Sequence, residues 1–102
     1  MATIAKRFYR GVPTSSLTTS YTVPAGALAM IKAVSVCNMT TTAATFRMVI
    51  AGWYIIFDHQ IKGNDTITIP FLDQIINAGE TIQFSCTPAG AVSVFISGKE
   101  VT

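Results

Sequence analysis

The chain has 102 residues, half of them hydrophobic and only 12% charged, with a formal net charge of +2. The length suits one domain with a core of its own, and the charged share is about half of the roughly 25% usual in soluble domains. So few charges favour an assembly that hides more surface than one domain can, and a balance of +2 gives no argument for a nucleic-acid partner.

No apolar run reaches the roughly 18–20 residues of a membrane-spanning helix, and the longest, Ala25–Val36, is interrupted by Lys32. No membrane partner is expected. The opening "MATIAKRFYRG" has basic residues with no apolar stretch behind them, so it does not read as a signal peptide.

The first predicted strand covers Ile4–Tyr9, in a basic and aromatic segment that runs on to Gly11 and Pro13. Residues 1–15 read either as an edge strand or as an arm that adds a strand to a neighbour. Strands over Ser16–Val23 and Leu28–Asn38 follow, separated by the turn "VPAG". Ala43–Ile50 and Trp53–His59 flank "AGW", and "KGND" leads to a strand over Asp65–Leu72. After "NAGE" and "TPAG" come Thr81–Thr87 and Ala91–Gly98. Gly, Pro, Asn and Asp punctuate these runs because they supply the turn dihedrals that other residues resist.

The late strands alternate. Ile67, Ile69 and Phe71 share one face, Ile82, Phe84 and Cys86 another, and Val92, Val94 and Ile96 a third, each opposite a more polar set. Successive side chains on a strand point to opposite faces, so each strand has one buried and one outward face. The prediction is an all-β fold: one antiparallel β-sandwich domain over residues 1–102, jelly-roll-like, with about eight strands.

Leu28–Cys37 and Trp53–Ile61 break that alternation. In "WYIIF", Trp53, Ile55 and Phe57 would share one side, with Tyr54 and Ile56 on the other. A strand that is apolar on both faces is covered on both, and in a two-layer sandwich that cover comes from another chain or a long loop, with another chain the favoured reading. Trp53, Tyr54, Ile55, Phe57, Leu28, Met30 and Phe95, which stands among serines, are the candidate residues of a homo-oligomer interface.

A reactive centre is hard to assemble from this sequence. His59 is the only imidazole, and its neighbour Asp58 would point to the opposite face, which disfavours a catalytic dyad. Cys37 and Cys86 are 49 positions apart, and with one histidine they do not make a zinc site; two unpaired apolar thiols are expected. Asp65 and Glu80 belong to turns. No enzyme activity, cofactor or metal is expected. Lys6, Arg7, Arg10, Lys32 and Arg47 all precede the first acid, Asp58, so the first 57 residues carry +5 and the remainder −3. Such a split suits complementary contacts between chains.

"KRFYRGVPTSSLTTSYTVPAGALAMIKAVSVCN" (Lys6–Asn38) resembles an N-terminal pattern of small virion proteins of tailed bacteriophages: a basic-aromatic strand, a G-x-P-T-S segment, a Y-T-V-P-A-G turn, and a strand ending in C-N or V-N. The end, Asn77–Val101, also looks like these proteins. Ala27 stands where the pattern often has lysine. The resemblance implies a non-enzymatic β-sandwich of a phage particle: a capsid decoration (cement) protein, or else a tail or head-fibre appendage that binds a receptor or carbohydrate. It implies a virion location after synthesis in the bacterial cytoplasm. The implied partners are further copies of the chain, with a trimer favoured, and the major capsid protein or another virion protein. Lys6, Arg7, Phe8, Tyr9 and Arg10 are the candidate capsid contacts.

Overall fold

The computed structural model describes residues 2–69 and 74–102. The alternating sequences produce nine strands: β1 (Thr3–Gly11), β2 (Thr18–Thr22), β3 (Leu28–Asn38), β4 (Ala44–Ile50), β5 (Trp53–Ile61), β6 (Thr66–Ile69), β7 (Gln74–Ile76), β8 (Thr81–Thr87) and β9 (Val92–Val101). All the described pairings are antiparallel, and they build two sheets that face each other. One sheet has the order β1-β9-β3-β6, with β7 also on β3; the other has the order β2-β8-β4-β5. The predicted all-β antiparallel sandwich is borne out, with nine strands rather than eight.

The additional strand follows from the length of β3. Its C-terminal half pairs with β6 (Val34–Cys37 against Ile69–Thr66) and its N-terminal half with β7 (Ala29–Ile31 against Ile76–Gln74). Two short strands thus share the flank of one long strand. Pro70, Phe71 and Leu72, the rest of the strand predicted over Asp65–Leu72, lie outside the described residues.

The inward faces are those that alternation marks. Val92, Val94 and Ile96 of β9 are buried, as are Ile82, Phe84 and Cys86 of β8, and they meet Phe46 and Met48 of β4 and Ile31, Val34 and Val36 of β3. Phe84 is a hub: its ring lies 4.5 Å from that of Tyr9, edge-on, and 6.2 Å from that of Phe46. A β-bulge between Ile31 and Ala33 lets β3 change parity at Lys32. Leu28 and Met30 therefore stay outward with Ala33, Ser35 and Cys37, while Ala29, Ile31, Val34 and Val36 stay inward. Gly98 allows β1, β9 and β3 to close up, since a Cβ there would lie 1.9 Å from the Met30 carbonyl oxygen and 2.7 Å from the Phe8 ring.

Within the chain β1 pairs with β9 from Thr3 to Gly11, at the edge of the five-stranded sheet. Both cysteines are free thiols, Cys86 buried and Cys37 half-buried on the outer face.

Candidate interaction surfaces

β5 concentrates exposed apolar side chains. Trp53 is 78% exposed, Phe57 60%, Tyr54 49% and Ile55 39%. β5 is the last strand of its sheet in hydrogen-bond order, and its pairing with β4 slips twice: Phe46 faces His59, Met48 faces Ile56, and Val49 faces Tyr54. Each slip gives β5 one residue more than its partner. A bulge of this kind turns side chains away from strict alternation. The predicted division of "WYIIF" into two covered faces is therefore corrected. Ile56 packs against the core and Ile61 is buried, while the other four project outward.

Beside this ridge lies an exposed ion pair. Asp58 adopts a left-handed backbone, φ 51°, as aspartate tolerates. Its carboxylate accepts two hydrogen bonds from Arg47, Nε to Oδ1 at 2.5 Å and Nη2 to Oδ2 at 3.0 Å. The pair holds Asp58 below, and Arg47 above, its ordinary pKa, chiefly through these bonds. The Arg47 guanidinium lies 4.5 Å from the Phe57 ring centroid, and Tyr54 meets Phe57 edge-on at 4.9 Å. Both Asp58 oxygens thus serve Arg47, and His59 instead lies opposite Phe46 in the ladder. His59, Ile55 and Ile56 of β5 and Ile67 and Ile69 of β6 line a cleft of about 590 Å³ between the two sheet edges.

The seven predicted interface residues do not converge. Trp53, Tyr54, Ile55 and Phe57 form the β5 ridge. Leu28, Met30 and Phe95 lie on the outer face of the other sheet, joined by Ile75, which is 56% exposed and pairs with Met30. Ile75 was missed because "QII" is too short to show alternation.

The predicted capsid-contact segment also divides. Phe8 is 6% exposed and packs at a tilt against Tyr21, with ring centroids 4.7 Å apart, and Tyr9 packs on Phe84. These two rings are committed to the core side, so Phe8 is removed from the surface candidates. Lys6 turns the same way and donates to Glu100 at 3.0 Å, and Glu100 also accepts the Tyr21 hydroxyl. Hydrogen bonding from Tyr21, then from Lys6, holds the Glu100 carboxyl below its ordinary range. Burial first, and then Glu100, push the Tyr21 phenol well above its own. A slip in the β1–β9 pairing between Arg7 and Tyr9 leaves Arg7 beside Ser97 and Arg10 beside Phe95, on the outer face.

No family model, curated protein or solved structure matches this chain. Among the described residues, no group of three or more His, Cys, Asp or Glu side chains is placed to hold a metal ion.

Proposed function

We propose that this protein is a non-enzymatic structural component of a tailed-phage particle, a capsid decoration protein that binds the head as a small homo-oligomer, with a trimer favoured. The observation that carries the reading is the β5 ridge: four large apolar side chains, two of them more than half exposed, on one strand of a small domain. Contiguous apolar surface of this kind marks an interface on a soluble protein. The two bulges interrupt the hydrogen-bond ladder at this edge, so association proceeds by side-chain packing rather than by adding a strand. The strand orders, four and four with β7 as an addition, support a jelly-roll winding, an architecture that viral capsid domains use. The resemblance of Lys6–Asn38 to phage virion proteins points the same way.

Light scattering on the purified protein, followed by co-sedimentation with undecorated heads, tests the proposal. A defined oligomer that pellets with heads is expected, and the Trp53→Ser/Phe57→Ser double variant is expected to run as a monomer. A wild-type monomer that ignores heads would sink the proposal.

The exposure of Trp53 favours one second reading, a receptor- or carbohydrate-binding appendage in which the indole stacks on a sugar face. Binding on a glycan array that disappears with Trp53→Ala would select it.

A further inference from the structure

We infer that the outer face of the five-stranded sheet, centred on Phe95, is a docking surface for an acidic protein surface. The inference rests on the layout of charge across that sheet and not on the virion reading.

Strand pairing gathers what the sequence scatters. Arg7 lies beside Ser97, Arg10 beside Phe95, and Lys99 beside Met30. The Arg7 guanidinium is 5.9 Å from the Phe95 ring centroid, and Lys32 lines the same shallow groove. The described carboxylates are directed elsewhere. Asp58 is bound to Arg47 on the other sheet, Glu100 turns inward onto Lys6 and Tyr21, and Asp65 and Glu80 belong to loops. Arg7, Arg10 and Lys99 thus bring cationic charge to this face, while Asp58 and Glu100 are engaged away from it.

The shape selects a protein partner over a nucleic acid. Phe95 is 43% exposed, and its surroundings are small: Ala33, Ser35, Thr68 and Ser97. A shallow surface with short side chains next to one aromatic anchor, and with arginines at its rim, has the makeup of a protein–protein contact. Sheets that read single strands of nucleic acid stack two or three bases on several aromatic side chains, and electrostatic binding to nucleic acid grows with the number of phosphates that cations neutralise. One ring and a few cations supply little of either. Complementary charge instead accelerates and orients docking to a carboxylate-rich surface.

The test titrates the full chain with three labelled probes at low and at raised salt. They are a glutamate-rich peptide with interspersed leucine and proline, single-stranded oligothymidylate of equal charge, and phosphatidylserine vesicles. The peptide is expected to bind most tightly and to weaken as salt rises. Arg7→Glu/Arg10→Glu should weaken it by about tenfold or more, and Phe95→Ala by about threefold to tenfold at fixed salt. Trp53→Ala on the other sheet should leave peptide binding unchanged, which separates this face from the β5 ridge. Thermal melts of each variant check the fold, and the salt dependence of the wild type needs no variant. Tighter binding of oligothymidylate or of vesicles than of peptide, no peptide binding at low salt, or binding indifferent to charge reversal would each overturn the inference.

Discussion

Ala51 and Gly52 make the β4–β5 turn with both backbones at positive φ, 52° and 83°. A two-residue hairpin of this hand suits the twist of its strands, and Asn-Gly is its preferred sequence. Alanine in the left-handed region costs about 1–2 kcal/mol that asparagine largely avoids. Ala51→Asn is therefore expected to stabilise the fold by about 1 kcal/mol, read as a higher urea midpoint with an unchanged slope. Asn38 presents the opposite case. It is buried, its amide donates to the carbonyls of Thr42 at 2.9 Å and Ile61 at 3.0 Å, and its Oδ1 accepts from the Thr40 amide at 2.9 Å and hydroxyl at 2.7 Å. Removing this side chain strands the buried Ile61 carbonyl and unties the loop over Thr40 and Thr42. Asn38→Ala should destabilise by about 2–4 kcal/mol in the same measurement. The sequence marked Asn38 only as the end of a strand, since a buried amide is invisible until the loop returns to it.

At the level of strands, legibility followed regularity. β8 runs over the predicted Thr81–Thr87, where period-two patterning and flanking turns agree, and β3 runs over the predicted Leu28–Asn38, a long apolar run bounded by the turn before it. β5 was read as apolar on both faces, since nothing in "WYIIFDH" announces two bulges. The register against β4 decides where those side chains point, and that is a tertiary fact. The core–surface contrast this creates is measurable. Trp53→Ala removes a ring that is 78% exposed and is expected to change stability by no more than about 0.5 kcal/mol. Phe46→Ala, at 0% exposure on the neighbouring strand, should cost about 3–5 kcal/mol. Equal effects in denaturant titrations would show that the ridge is already covered within the single chain.

Across the whole molecule, the sequence's division of charge, basic first and acidic later, is rewritten by strand order. β1, β3 and β9 carry Arg7, Arg10, Lys32 and Lys99 onto one sheet. The late acid Glu100 is taken inside to join β9 to β1 through Lys6 and to the opposite sheet through Tyr21 on β2. This cluster ties the two layers together, and its protonation should register in global stability. The Glu100 carboxyl sits below its ordinary range in the folded protein, through Tyr21 first and Lys6 second. Its contribution is therefore complete above the unfolded carboxyl value of about 4.3 and is lost as pH falls through the lower folded value. Tyr21 has the opposite sign. Its folded pKa is raised, mainly by burial, so the neutral phenol is the form the fold favours. That contribution is complete below the unfolded value of about 10 and is lost as pH rises through the folded one. Urea midpoints recorded across pH should therefore fall at both ends. Glu100→Gln is expected to flatten the acid limb, and Tyr21→Phe, which keeps the ring against Phe8 and deletes the hydroxyl, the alkaline limb. An acid limb unchanged in Glu100→Gln would place the titrating group elsewhere and deny this cluster its part in joining the sheets.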